Sequence, residues 1–355
     1  LDGRQSFIVE VKKESEANTV IVVAKVRDLI NKFLKENKEV QGVILIDQGK
    51  EIIFEATAMH PVTGAFSKID VLRKVPNTNE WDLIEVKSTT KIKSYHIDDV
   101  SFQYYVFHHA GYNIRHCFLM LLNRDYIRQG DPDPKGLLML EDITEKVVEK
   151  QNMTDVLATQ LAVVPTQKNE PTIAIGSHCF TPFECDYKEH CWQHVPEYSI
   201  YNLFSKKQAD GIYKTINSYN IKDIPVKLYP KNKNGEINLK KKIDIDSFKT
   251  DAKHIDKEGI NNFLNELEYP LYYLDYEAIS YAIPLFDGTS PYQAIPFQFS
   301  LHIQESPGAD LGYSSYLHRE LSDPRRAFTK KLILDCSNKG SVVVFNKPFD
   351  IACKL

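Results

Sequence analysis

The sequence predicts a mixed α/β protein, and three observations predict it. The chain has 355 residues, 43% of them hydrophobic and 26% charged, enough to bury more than one core. Runs that alternate like strands are interspersed with stretches of helical period. A cysteine-rich stretch separates two regions in which acids sit on strand-like runs. The expected division is a first α/β core with a helical insertion over 1–170, the cysteine segment over 171–200, a helical and basic connector over 201–265, and a second, truncated α/β segment over 266–355.

Composition excludes several classes. The net charge is −4, so the chain is no polycation, and any nucleic-acid binding must use local patches and metal ions. No apolar run approaches the roughly 20 residues of a membrane helix. The first residues, LDGRQSF, carry no secretory signal. The expectation is a cytoplasmic protein without a membrane partner, of open oligomeric state. The abrupt start also gives the expectation that a natural N-terminal piece is missing.

The elements follow in order. Residues 19–37 place Val22, Val26, Leu29, Ile30 and Phe33 at helical spacing, a packing helix. VQGVILID and KEIIFEATAMH form a hairpin around Gln48–Gly49. KIDVLRKV and WDLIEVKS are two further strands, joined by a polar turn at Pro76–Asn77. Residues 97–111 read as a helix stopped by Gly111. RHCFLMLLN is a buried strand. Turn residues from Gln129 to Pro134 precede an amphipathic helix, ITEKVVEKQNMTDVLATQLAVV, which reads as a packed connector.

The chemistry concentrates on Asp70, Glu85 and Lys87. Glu85 and Lys87 are two apart on a strand and share a face, which Asp70 reaches from the neighbouring strand. Two carboxylates and a lysine at a sheet edge hold a hard divalent cation beside a phosphate. The alternative is a salt-bridged, solvated strand face. Glu55, on the preceding strand, faces either this site or a partner in the sheet.

An I-D pair, then E-V-K-S, then a helix carrying Gln103 resembles the PD-(D/E)XK nuclease superfamily, in its RecB-like branch. That resemblance implies a restriction-endonuclease-like core with Asp70 and Glu85 as ligands of Mg²⁺ or Mn²⁺. Val86 would add its backbone carbonyl, and Lys87 would be the catalytic lysine. Gln103 would lie near the DNA backbone. The family's Q-x-x-x-Y pattern is broken, because position 107 is Phe, and Tyr105 is the substitute candidate beside Tyr104. DNA, single- or double-stranded, is the implied partner, with a helicase or repair protein as a further one.

GSHCFTPFECDYKEHCW holds Cys179, Cys185 and Cys191 with five residues between neighbours. Thiolates so spaced suit one soft metal or a cluster, and His178, His190 and His194 keep zinc in competition. The triplet resembles that of iron–sulfur nucleases, which implies a [4Fe–4S] cluster, with Zn²⁺ as the alternative and three unrelated thiols as the third reading. No cysteine precedes the core to act as fourth ligand, and Cys117 reads as a buried apolar residue. Lys231, Lys233, Lys240, Lys241 and Lys242 either contact phosphate or line a solvated loop.

A second centre begins after Pro270. LYYLDYEA reads as a buried strand that puts Asp275 and Glu277 on one face, and SVVVFNKPFD runs into Asn346, Phe349 and Asp350. D-x-E followed by N-x-x-F-D resembles the DnaQ-like 3′→5′ exonucleases of the RNase H fold. The resemblance implies Asp275, Glu277 and Asp350 as metal-binding acids, with a fourth acid beyond Leu355. The chain as a whole resembles a bacterial domain-of-unknown-function family that joins these two parts, over most of residues 40–355. The function expected is metal-dependent DNA cleavage in repair, recombination or defence. The alternatives are a nucleic-acid-binding or scaffold protein with an incomplete site, and an RNA-processing exonuclease.

Overall fold

The computed structural model describes residues 51–345. The expected helix over 19–37, the VQGVILID strand, Asn346, Phe349, Asp350 and Cys353 lie outside the described residues. Contacts group the chain into two units: Gln167–Glu266 form one, and the residues before and after that span form the other.

The larger unit opens with a meander of antiparallel strands, β1 (Ile52–Met59), β2 (Phe66–Lys74) and β3 (Glu80–Val86). Asn77 makes the β2–β3 turn with φ 60°, a backbone conformation that asparagine tolerates. Helix α1 (Ser94–His109) then crosses over, and β4 (Asn113–Leu122) returns parallel to β3. β5 (Leu138–Asp142) closes the order β1-β2-β3-β4-β5. β3 is buried from Trp81 through Glu85, as suits a central strand covered on both faces. Val100, Val106 and Phe107 of α1 share one core with Leu72, Leu83 and Leu119 of the sheet. Cys117 lies in that core, and burial pushes its thiol up to about 12, so it is inert packing.

Two details differ from the expectation. The connector after β4 contains β5, because the short apolar run LLMLED finds the open edge of β4. The single amphipathic helix is two helices, α2 (Thr144–Glu149) and α3 (Gln151–Ala162), that meet at Lys150.

The unit Gln167–Glu266 is built from short helices. Its core gathers Ile200, Leu203, Ala209, Ile212, Ile221, Ile224 and Ile245. α4 (Lys206–Ile216) begins at a reciprocal cap between Ser205 and Gln208 and ends at Asn217 in the left-handed region. α5 (Leu239–Thr250) and α6 (Lys257–Asn265) follow. Two lysines of the basic stretch have structural partners: Lys241 donates to the Leu203 carbonyl, and Lys242 pairs with Asp246.

The larger unit resumes with a second antiparallel meander, β6 (Leu271–Ile279), β7 (Ile295–Gln304) and β8 (Leu311–Leu317). α7 (Arg325–Asp335) and β9 (Ser341–Val343) complete the order β8-β7-β6-β9, with β9 parallel to β6. β6 is half-buried rather than buried. Tyr272, Leu274 and Tyr276 join Phe299, Leu301 and Phe328 in a core, while Tyr273, Asp275 and Glu277 are exposed. No helix among the described residues is long and apolar enough to cross a membrane.

The two sheets of this unit meet at the loop between β6 and β7. Ala282 and Ile283 of that loop share an apolar cluster with Leu122 and Leu137. Arg128 Nη1 donates to the Pro284 carbonyl at 2.7 Å, and the Gly130 N–H donates to Asp287 Oδ1 at 2.8 Å.

Candidate active site

Asp70 and Glu85 lie where the first sheet comes apart. The β2–β3 ladder runs from Lys74↔Trp81 to Val71↔Ile84 and stops one pair short of them. Beyond that point the Asp70 carboxylate takes over the ladder's role, and its Oδ2 accepts the Val86 N–H at 2.8 Å. On the other side of β2 the ladder also skips one pair. Phe54 pairs with Val71 and Ala56 with Ile69, so the ladder passes over Glu55 and Asp70. Glu55 has φ 55°, an uncommon value for a residue with a side chain, and its carboxylate ion-pairs with Lys68. Asp70 is thus released from the ladder on both flanks.

Helix α1 closes the fork. Gln103 Nε2 donates to Glu85 Oε2 at 2.9 Å, and Lys87 Nζ donates to Glu85 Oε1 at 2.7 Å. Lys87 Nζ also donates to Asp99 Oδ2, on the turn of α1 before Gln103. Glu85 is only 8% exposed. Burial, and then the neighbouring Asp70 carboxylate, push its pKa up to about 7 against the downward pull of Lys87. For Lys87, burial opposes the charge, but Glu85 and Asp99 outweigh it and the pKa is raised. His96, buried at the start of α1, is held below its ordinary value by burial, then by Lys87 and Lys93.

Asp70, Glu85, Lys87 and Gln103 are therefore brought together, and Tyr105 is not. Tyr105 is 1% exposed, its hydroxyl donates to Asp155 Oδ1 at 3.1 Å, and its ring stacks on His60 at 4.9 Å. Helix geometry is the reason, because residues two apart do not share a face. Phe107, four after Gln103, is fully in the core.

The donor set suits a hard divalent cation. Each carboxylate oxygen of Asp70 and Glu85 can accept a further contact beyond the hydrogen bonds described. Gln103 Oε1 is buried and has no hydrogen-bond partner among the described residues, so an oxygen beside Glu85 has unused acceptor lone pairs. Two close carboxylates, one of them driven toward its neutral form, are the arrangement that a cation relieves.

The other expected centres are less assembled. Asp275 and Glu277 stand on the exposed face of β6, across from Ser300 and Gln298, and neither has an ion-pair partner among the described residues. Cys179 is buried, Cys185 exposed and Cys191 half-buried, all as free thiols. The Cys185 N–H donates to the Cys179 carbonyl at 2.8 Å. His190 turns to Glu170 Oε1 at 2.8 Å. Among the described residues, no three His, Cys, Asp or Glu side chains gather as a metal cluster.

Two residues at the first site escape sequence reading. Asp99 is one acid in a charged helix start, and only its four-residue spacing from Gln103 hints at a shared face. Tyr292, in the β6–β7 loop, donates to the Ser88 carbonyl at 2.6 Å, one residue past Lys87. Nothing local in the sequence signals that contact.

No curated protein matches the chain. Residues 272–354 match a domain of unknown function, DUF2779, a stretch that takes in Asp275, Glu277 and Asp350 and is narrower than the resemblance over most of residues 40–355.

Proposed function

We propose that the chain is a metal-dependent nuclease that hydrolyses phosphodiester bonds at the Asp70–Glu85–Lys87 site. The observation that carries this reading is the opened strand pair, in which two carboxylates, a lysine and a glutamine converge at the end of a ladder. Three antiparallel strands, a crossover helix and a parallel strand is the order expected of a PD-(D/E)XK core. The order β8-β7-β6-β9 likewise accords with an RNase H-like segment, with Asp275 and Glu277 on its first strand.

Asp70, Glu85 and the Val86 carbonyl would hold Mg²⁺ or Mn²⁺, with Gln103 Oε1 as a further oxygen. A divalent ion bound there supplies positive charge for the phosphate and makes a nearby water more acidic. Hydrolysis adds a hydroxyl to phosphorus and a proton to the departing sugar oxygen. Lys87 donates its remaining N–H toward the charge that develops on a phosphoryl oxygen. Gln103 fixes the Glu85 carboxylate, so the acid does not rotate as substrate binds. Asp70 is fixed in the same way by the Val86 N–H.

The test uses the full chain with Mg²⁺ or Mn²⁺ on single- and double-stranded DNA and on RNA of the same sequence. Asp70→Asn and Lys87→Ala are expected to lower cleavage by about 100-fold or more, while Asp275→Asn isolates any contribution of the second sheet. Cleavage that both first-site variants retain would sink the assignment. Nucleic-acid binding with no cleavage by either ion would make the chain a binding protein instead.

A further inference from the structure

The lysine of the first site is anchored from two directions. An ammonium group has three N–H bonds in a tetrahedral arrangement. One of those of Lys87 goes to Glu85 Oε1 and a second to Asp99 Oδ2. With two directions taken, the third is fixed in space and is the one left for a substrate oxygen. A lysine anchored at Glu85 alone keeps rotation about that bond, and four flexible carbons carry its amine.

Both anchors are coordinated by one helix. Asp99 and Gln103 are four residues apart on α1 and lie on the same face. Gln103 holds Glu85 and Asp99 holds Lys87, so one turn of helix sets both the acid on β3 and the lysine just past its end. The neighbouring acid does something else. Asp98 points to Lys150 at the junction of α2 and α3, at 2.6 Å. The Asp99 side chain is 41% exposed, so its carboxylate is not part of the core and its removal leaves no buried vacancy.

We propose that Asp99 is the positioning residue of Lys87, holding the ammonium in the one orientation that offers its third N–H to a phosphate oxygen. This rests on the nuclease reading of the same site. Asp99 touches neither substrate nor metal ion in this role and acts only through the lysine.

The experiment compares the full chain, in an Asp275→Asn background, with its Asp99→Asn, Asp99→Glu and Asp98→Asn variants. Cleavage is measured with Mn²⁺ on DNA, and acylation of Lys87 by an amine-reactive ester is followed by mass spectrometry at one pH. Asp99→Asn is expected to lower kcat by about 10- to 100-fold. Its KM and Mn²⁺ half-saturation are expected to stay within about twofold. Lys87 acylation is expected to rise by about threefold or more, because a neutral amide oxygen anchors the amine more weakly than the carboxylate does. Asp99→Glu restores part of kcat, and Asp98→Asn changes none of these. Far-UV circular dichroism checks folding, with Asp99→Ser as the second variant. A folded Asp99→Asn chain with wild-type kcat, or with a raised KM and unchanged kcat, overturns the proposal and leaves the nuclease reading standing. A parent chain that cleaves nothing overturns both.

Discussion

Glu85 carries the largest electrostatic cost in the first site, and its cost has a sign. Its pKa rises from the ordinary 4.5 to about 7 because it is buried beside Asp70. The folded state therefore binds a proton more tightly than the unfolded state, and the associated stability is fully present below pH 4.5. It is lost as pH rises through about 7, an effect on the order of 3 kcal/mol. Metal-free protein should lose thermal stability between pH 5 and pH 8 by about that amount. Mn²⁺ should restore more of it at pH 8 than at pH 5, since protons compete for the same oxygens. Calorimetry at fixed ionic strength checks this. The readout is the difference from Glu85→Gln, which lacks this fall and keeps the opposite rise that the lowered pKa of His96 contributes. A wild-type melting temperature that runs parallel to that of the variant from pH 5 to pH 8 would contradict the raised pKa of Glu85. Tyr105 gives the opposite lesson at this scale: a hydroxyl in the right stretch of sequence is committed to Asp155 and His60 two residues around the helix.

Among the elements, α1 organises the first site, and β9 shows how tightly the second sheet is drawn. The helix was legible from its period and its Gly111 stop, since φ 95° there suits a residue without a side chain. Its role was not legible, because Asp99 and Gln103 matter only through β3, which precedes them by a loop. β5 is not legible in the sequence, because a run as short as LMLED does not distinguish strand from connector until an open edge is beside it. At β9, Gly340 has φ 93°, and a Cβ there would overlap the Pro270 carbonyl oxygen. The adjacent Ser341 N–H donates to the Glu268 and Pro270 carbonyls at 2.8 and 3.2 Å, so the strand cannot shift without losing them. Gly340→Ala is expected to destabilise the fold by about 2–4 kcal/mol, read from urea unfolding. A midpoint equal to that of the wild type would mean the turn relaxes freely.

At the scale of the molecule, the two sheets of the larger unit are joined by the β6–β7 loop. Ile283 is almost fully buried and clusters with Leu122 and Leu137. Ile283→Ala should cost about 2–4 kcal/mol. In a Trp192→Phe chain the transition can be followed by Trp81, which is buried in the first sheet. A Trp81 transition that does not move would mean that the sheets unfold separately. The sequence by itself determined the strands that bear Asp70, Glu85, Asp275 and Glu277, the position of Lys87 just past the second of them, the helix that bears Gln103, and the chemistry these side chains can perform. Those follow from alternation, helical period and side-chain type, which are local properties. Only the tertiary structure decided the rest. It opened the ladder at Asp70, chose Gln103 and Asp99 over Tyr105 as the helix face that meets Glu85 and Lys87, and put Tyr292 against Ser88, 204 residues away in the chain. It left Cys179 buried, Cys185 exposed and Cys191 half-buried, a difference that their equal spacing does not signal. The physical reason is the same in each case. Strand pairing and helix packing select one face of an element out of several that its sequence allows, and the selecting partner lies far along the chain.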